Sequence, residues 1–290
     1  MRLPFLPVLL GGLFALCLAA ALSTDASAQR RPALPAGAKY VAMGSSFAAG
    51  PGLLPYVPDA PVRCGRSSRN YAHLLAARRG LSLVDVTCSG ATTAAVLTGW
   101  RELPPQVEAV DADTRLVTVT IGGNDLGYIG NLMSLSCAQL AARLGDPTGR
   151  CRPAADPGAG AFDALPRAMA DVAAAVRARA PDALLVFVDY PVVLPPRDLC
   201  DGTPLTREQA EAARAVAARL AAITEAAASD AGALLLKASE LSLGHDACAA
   251  DPWMTGYPAP TGAVAYHVTP PGMEAVAQAL DRMLDQVPAR

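Results

Sequence analysis

Lys39-Tyr40-Val41-Ala42-Met43-Gly44-Ser45-Ser46 is a mostly apolar run that leads into a glycine and two serines. Residues 39–43 have the length and composition of a short buried strand, and a glycine commonly marks the turn that ends one. The segment therefore predicts a strand whose carboxyl end presents a serine hydroxyl.

Strand-like and helix-like segments alternate from this point to the end of the chain. Further strands are predicted at 81–86, 115–121, 183–188 and 233–236, and helices at 67–79, 132–144, 162–180, 206–228 and from Thr269 onward. Such alternation is typical of a parallel sheet with helices on both faces. We predict a single three-layer α/β/α domain with about five parallel strands.

Two further motifs follow the next two predicted strands. Cys88-Ser89-Gly90-Ala91-Thr92-Thr93 comes after the second strand, and Ile121-Gly122-Gly123-Asn124-Asp125 comes at the end of the third. The carboxyl ends of parallel strands form one edge of a sheet, which is where open α/β folds bind ligands. We therefore expect Ser46, Gly90 and Asn124 to lie on the same edge.

The last motif, Tyr266-His267-Val268-Thr269-Pro270, stands before the final helix, with Thr269 as its predicted N-cap. A serine hydroxyl needs a base to accept its proton at neutral pH, and His267 can provide one. Backbone N–H groups and an amide side chain can stabilise a developing oxyanion. Together, the four motifs indicate the chemistry of acyl transfer.

Other chemistries lack their motifs. The sequence has no Gly-x-Ser-x-Gly nucleophile elbow and no Gly-x-x-x-x-Gly-Lys phosphate loop. Its three histidines are scattered, so neither a metal nor a cofactor is expected. With 24 basic against 26 acidic residues, the net charge of −2 gives no reason to expect nucleic acid as a partner.

In this order the motifs resemble those of the SGNH (GDSL) hydrolase superfamily, in particular its secreted actinobacterial lipase/esterase branch. Gly44-Ser45-Ser46 resembles the first block, which is usually Gly-Asp-Ser, and Gly122-Gly123-Asn124-Asp125 is nearly the unaltered third block. Ser89-Gly90-Ala91-Thr92-Thr93 resembles the second block, and the segment from His267 to Gly272 resembles the fifth. The similarity extends from about residue 39 to 284.

The resemblance implies the strand order 2-1-3-4-5 and a secreted hydrolase that cleaves carboxylic esters of fatty acids or lipids. It assigns Ser46 as the nucleophile, through an acyl-enzyme intermediate, and His267 as the general base. It also implies an oxyanion hole formed by the N–H groups of Ser46 and Gly90 and the side chain of Asn124. Ser45, which occupies the usual Asp position, is the competing nucleophile.

The sequence departs from the family where an Asp often stands three residues before the histidine, because Val264 occupies that position. A histidine base needs its second ring nitrogen held by a partner. We expect the Val264 backbone carbonyl to take this role, with Asp246 or Asp251 as the alternative. The other histidines, His73 and His245, are interpreted as structural and as a solvated loop residue.

Apolar side chains near the third and last motifs are candidates for an acyl groove, with ordinary core packing as the alternative. They are Leu126, Tyr128, Leu132, Met133, Trp253, Met254 and Tyr257. A narrow, polar pocket would instead favour a short-acyl or carbohydrate acetyl esterase. The Ser45 substitution and the missing Asp also leave open an inactive secreted binding protein of the same fold.

The N-terminus has the features of a signal peptide. Arg2 precedes an apolar run, and Ala26-Ser27-Ala28 has the small-x-small form of a cleavage site. We predict a signal peptide at 1–28 and a hydrolase domain at 29–290, released as a monomer or kept in the cell envelope without a stable membrane anchor. A retained anchor and a lipoprotein site at Cys17 are the alternatives.

Removal of Cys17 would leave six of the seven cysteines, and an even number in an exported chain indicates disulfides. Six cysteines allow 15 pairings, and spacing does not choose among them. The family resemblance implies the pairs Cys64–Cys88, Cys137–Cys151 and Cys200–Cys248.

Overall fold

A computed structural model describes Met1 and residues 34–146, 150–155 and 157–287. The predicted signal peptide at 1–28 therefore lies, apart from Met1, outside the described residues. Within them, none of the helices combines the length and the apolar character that crossing a membrane requires.

The sheet has five parallel strands in the order β2-β1-β3-β4-β5. The strands are β1 Lys39–Gly44, β2 Ser82–Asp85, β3 Thr114–Thr120, β4 Leu184–Val188 and β5 Leu234–Leu236. Both the strand number and the predicted order are confirmed. The three central strands are buried along almost their whole length, as expected of a parallel sheet covered on both faces.

Eight α-helices in the described residues surround the sheet. They are α1 Ser46–Ala49, α2 Tyr71–Arg79, α3 Thr93–Thr98, α4 Tyr128–Arg143, α5 Gly158–Arg179, α6 Arg207–Asp230, α7 Ala238–Leu241 and α8 Pro270–Asp285. Helix α2 packs against α8, while α5 packs against α3 and α6. These two groups form the outer layers, consistent with right-handed crossovers between parallel strands.

Three helix starts differ from the prediction by four residues. Helix α2 begins later, at Tyr71, and helix α5 begins earlier, at Gly158. Helix α4 begins at Tyr128, four residues earlier than predicted, because Gly127 adopts φ +60° and turns the third motif directly into the helix. Thr269 occupies the N-cap position of α8, but its hydroxyl donates to the Pro252 carbonyl at 3.1 Å and does not cap the helix. By contrast, Thr206 and Gln209 form a complete capping box at the start of α6.

Disulfides join Cys64 to Cys88, Cys137 to Cys151 and Cys200 to Cys248. This is the pairing that the family resemblance implies. The first bridge braces the segment after β2, and the third ties the loop after β4 to the loop that leads toward His267.

Candidate active site

The end of β1 is fixed closely against the end of β3. Gly44 has φ +133°, and a Cβ atom there would lie 2.4 Å from the carbonyl oxygen of Thr120. The backbone N–H of Ser45 donates to that same oxygen at 2.9 Å. Only glycine fits this turn, which delivers Ser46 as the first residue of α1.

The two adjacent serines have different environments. Ser45 has no exposed surface, and its hydroxyl lies 2.9 Å from the Tyr190 hydroxyl. Ser46 retains 8% exposure. As the first residue of α1, Ser46 also has a backbone N–H without a partner inside the helix. The geometry favours Ser46 over Ser45 as the reactive hydroxyl.

His267 is 7% exposed, and its Nδ1 lies 2.8 Å from the Ala265 carbonyl oxygen. A carbonyl oxygen can only accept a hydrogen bond, so Nδ1 carries the proton and Nε2 has the free lone pair. Burial lowers the pKa of His267 below its ordinary value, which keeps the ring neutral. A neutral imidazole of this tautomer is competent to accept a proton from serine.

The expectation that Val264 orients the histidine is wrong by one residue. The Val264 carbonyl accepts a hydrogen bond from the Thr255 hydroxyl at 2.6 Å. Tyr266 adopts φ +56°, a left-handed conformation that is unusual for a bulky side chain, and this turn brings the Ala265 carbonyl to the His267 ring. The turn is supported by the buried Tyr266 hydroxyl, which lies 2.6 Å from the Ser136 hydroxyl.

The two alternative carboxylates do not serve His267. Asp246 accepts from the backbone N–H of Cys248 at 2.9 Å. The Asp251 side chain is 76% exposed and lies 3.7 Å from Nδ1 of His245.

The first and last motifs meet although they are far apart in sequence. The ring of Phe47, directly after Ser46, lies 5.3 Å from the ring of His267. A Cβ atom on Gly52 would lie 3.0 Å from backbone atoms of residues 262–264, so the loop after α1 packs against the chain that approaches His267.

Hydrogen bonds connect the second and third motifs. The Asn124 amide donates to the Ala91 carbonyl at 2.9 Å, which leaves its second N–H available. Asp125 accepts from the Thr93 backbone N–H at 3.1 Å and also from the Thr93 hydroxyl. Asp125 therefore holds the two loops together, and Asn124 lies beside the loop of Gly90.

The second motif is also held against the first. The Cys88 N–H donates to the Gly44 carbonyl at 3.0 Å. Gly90 has φ +86°, and a Cβ atom there would lie 2.8 Å from the Trp100 ring. The Arg63 guanidinium lies 3.8 Å from the centre of that ring. The Trp100 ring thus packs directly against Gly90. Sequence reasoning missed this contact, because the residues around Trp100 in the sequence give no signal of it.

Most of the predicted groove residues contribute to the core. Leu126, Tyr128, Leu132 and Met254 are all buried in the main hydrophobic cluster, so ordinary packing explains them. Trp253 is partly exposed and stacks on His245 at 3.9 Å between ring centres. A substrate-lining role stays a prediction for Met133, Trp253 and Tyr257.

A cavity of about 190 Å³ lies behind the second motif, lined by Cys88, Ala91 and Trp100 among others. Neither Ser46 nor His267 lines it, so it is separate from the serine and histidine. Among residues 34–146, 150–155 and 157–287, no three His, Cys, Asp or Glu side chains are grouped to hold a metal ion.

Comparison with known proteins gives a consistent set of relatives. The model of the GDSL-like Lipase/Acylhydrolase family matches residues 42–275. Lipase 2 of Streptomyces coelicolor is 36% identical over 251 residues, covering 82% of this chain and 81% of its own length. A lipase of Streptomyces rimosus is 30% identical over 234 residues, covering 80% and 81% of the two chains.

Solved structures show the same relationship. Phospholipase A1 from Streptomyces albidoflavus superimposes with a TM-score of 0.70 at 27% identity, covering 85% of this chain and 99% of its own. The extracellular lipase from Streptomyces rimosus gives a TM-score of 0.69, also at 27% identity, with the same coverage. An acetyl-xylooligosaccharide esterase variant from Geobacillus, at 12% identity and a TM-score of 0.52, shares the fold alone.

Proposed function

Because the chain belongs to the GDSL-like lipase/acylhydrolase family and is a carboxylic ester hydrolase, we propose that it works through an acyl-Ser46 intermediate with His267 as general base. One observation carries this proposal. The Nδ1 of buried His267 is bonded to a backbone carbonyl, so Nε2 is the proton acceptor, and the His267 ring contacts the residue next to Ser46.

In the proposed reaction, Nε2 of His267 accepts the Ser46 proton while Oγ attacks the ester carbonyl carbon. The carbonyl oxygen gains negative charge and accepts hydrogen bonds from the N–H groups of Ser46 and Gly90 and from the Asn124 amide. The carbon–oxygen bond to the alcohol then breaks, and the imidazolium returns the proton to the departing alcohol. Water, activated by the same Nε2, attacks the acyl-serine, releases the acid and restores the Ser46 hydroxyl.

In the proposed mechanism Ser46 and His267 form a catalytic dyad, without a carboxylate as third member. The Ala265 carbonyl fixes the ring and its tautomer, which is one task of the carboxylate in a triad. A carbonyl carries no full negative charge, so it stabilises the imidazolium less than a carboxylate does. The burial that lowers the pKa of His267 is therefore not offset by a neighbouring anion at Nδ1.

Fatty-acyl or lipid esters are the proposed substrate class. The named relatives include lipases and a phospholipase A1. Large apolar side chains are exposed on the segment after α1: Leu54 at 64%, Tyr56 at 44% and Val62 at 97%. Exposed apolar side chains on the segment that follows Ser46 suit a lipid substrate better than a sugar.

We also propose export of the chain and removal of residues 1–28. Three disulfides in the described residues support an oxidising compartment, and a structural relative is described as an extracellular lipase. Mass spectrometry of the exported protein should give an N-terminus at Gln29. An intact residue 1–28 segment on the exported protein would contradict cleavage.

Turnover of p-nitrophenyl esters from acetyl to palmitoyl tests the catalytic proposal. Ser46→Ala and His267→Ala should each lower kcat by roughly 10⁴-fold or more, whereas Ser45→Ala should lower it by no more than about fivefold. The chain-length profile separates a lipase from a short-acyl esterase. Full turnover by Ser46→Ala, or no ester turnover and no fluorophosphonate labelling in folded wild type, would refute the proposal.

A further inference from the structure

The hydroxyl of Tyr190 connects the first and third motifs. Tyr190 stands two residues beyond β4, at the carboxyl edge of the sheet. Its oxygen lies 2.9 Å from the Ser45 hydroxyl and accepts a hydrogen bond from the Gly123 N–H at 3.1 Å. Ser45 immediately precedes Ser46, and Gly123 immediately precedes Asn124. One phenol oxygen thus joins the residues next to the nucleophile and next to the amide donor.

The contact is tightly packed. Ser45 is fully buried and Tyr190 is 6% exposed. A Cβ atom on Gly123 would lie 2.7 Å from the Tyr190 oxygen, so only glycine lets the backbone approach the phenol so closely. The Tyr190 ring also packs on the Phe47 ring at 4.6 Å, and Phe47 in turn contacts His267. Tyr190 therefore touches the chain on both sides of Ser46.

Because residue 45 is a serine, the hydrogen bond between residues 45 and 190 joins two hydroxyls and involves no carboxylate. The first block usually has Asp at this position, and here two neutral hydroxyls meet instead. Burial raises the pKa of Tyr190 to about 12, so the phenol stays protonated at neutral pH. The link is then a fixed, uncharged hydrogen bond that does not titrate where the enzyme works.

We propose that Tyr190 is a positioning residue that sets the separation between the Ser46 loop and the Asn124 loop, and so aligns the oxyanion donors. This inference rests on the function proposed above. It assigns Tyr190 no contact with substrate. Its effect is transmitted through Ser45 and Gly123.

Tyr190→Phe removes the hydroxyl and keeps the ring. We expect kcat to fall about tenfold to 100-fold with KM within about twofold, since misplacing an oxyanion donor costs less than deleting it. Tyr40→Phe is the matched control, because Tyr40 is also buried and its hydroxyl lies 2.8 Å from Thr118 within the sheet. The control should lose thermal stability to a similar extent and keep its kcat.

A double-mutant cycle with Asn124→Ala tests the route of the effect. If Tyr190 acts by placing Asn124, then Tyr190→Phe should lower kcat by less than about threefold in the Asn124→Ala background. An effect on kcat that does not pass through Asn124 would give the same fold-change in both backgrounds. Rates are expressed per serine titrated to completion with a fluorophosphonate, so unfolded molecules do not enter kcat.

The outcomes separate the two proposals. If Ser46→Ala is inactive while Tyr190→Phe and Tyr40→Phe both keep wild-type kcat, the positioning role is refuted and the catalytic proposal stands. Equal effects in the two Asn124 backgrounds also refute it. If Ser46→Ala keeps full turnover, the catalytic proposal itself fails.

A second variant applies if Tyr190→Phe does not fold. Ser45→Ala breaks the same link from the other side and leaves the bond to Gly123. It should lower kcat roughly two- to fivefold, and this loss should disappear in Asn124→Ala. A kcat for Ser45→Ala equal to wild type would then overturn the inference.

Discussion

The three loops that follow β1, β2 and β3 and the loop that carries His267 are held in place by different means. The first three loops begin where strands of the sheet end, and backbone hydrogen bonds such as Ser45 N–H to Thr120 fix them to the sheet. The His267 loop has no strand before it. Its position is set by side-chain contacts, by the left-handed turn at Tyr266 and by an isolated backbone pairing of Met254 with Val268 that lies outside the sheet.

Different parts of the fold therefore position the different residues of the candidate site. The sheet places Ser46, Gly90 and Asn124, because each of them follows the end of a strand whose register is fixed. The His267 loop is placed by hydrogen bonds outside the sheet, several of them from Thr255, whose backbone N–H donates to the His267 carbonyl at 2.9 Å. The Thr255 hydroxyl donates to the Val264 carbonyl at 2.6 Å and accepts from the His267 N–H at 2.9 Å.

The largest effect is expected when a donor is removed from the sheet edge. Asn124→Ala should lower kcat by roughly 100- to 1000-fold with little change in KM, because the amide stabilises charge that appears only in the transition state. Asn131→Ala is a suitable control, since its amide donates to the Ala155 carbonyl on the exposed side of α4. Steady-state kinetics measures both, and equal kcat values would show that Asn124 is not a donor.

A smaller effect is expected from loosening the His267 loop. Thr255→Val keeps the side-chain shape but removes the three hydrogen bonds of the hydroxyl to Val264 and His267, leaving only the backbone bond from the Thr255 N–H to the His267 carbonyl. We therefore expect kcat to fall about tenfold as His267 loses its alignment. Thr224→Val is the comparison, because the buried Thr224 hydroxyl donates at 2.9 Å to the Leu220 carbonyl within α6. If both variants lose stability but keep kcat, the loop does not depend on Thr255.

The smallest expected effect is a displacement of the pH profile. His267 must be neutral to accept a proton, so kcat/KM should be constant above its pKa and fall as the pH drops through it. Burial lowers that pKa, which places the midpoint of the acid limb below the ordinary histidine value of about 6.5. A midpoint above that value would indicate that the histidine is paired with an anion.

Sequence reasoning succeeded where the signal was local. Apolar runs ending at Gly44 and Gly122 predicted strands, and their alternation with helices predicted the sheet. Topology then placed three motifs on one edge, because parallel strands share their carboxyl ends. The strand order and the disulfide pairing came from family resemblance, since neither follows from local patterns.

What sequence reasoning missed depends on tertiary contacts. No local pattern predicts that Tyr266 has a positive φ, so the Val264 carbonyl was chosen over that of Ala265. Nothing near Tyr190 or Trp100 in the chain shows that each packs on a motif glycine. Core packing, the alternative to a groove, accounts for Leu126, because an apolar residue after a motif suits the core equally well.

The contact between Phe47 and His267 joins residues near opposite ends of the chain, and this has a consequence for biosynthesis. Ser46 emerges from the ribosome long before His267, and α8, which follows His267, packs against α2. A nascent or truncated chain that ends before residue 267 contains Ser46 but not His267, so the proposed mechanism predicts that it is inert toward esters. By the proposed mechanism, hydrolytic activity arises only when the last part of the domain has joined the first, and contacts of such long sequence separation generally form slowly.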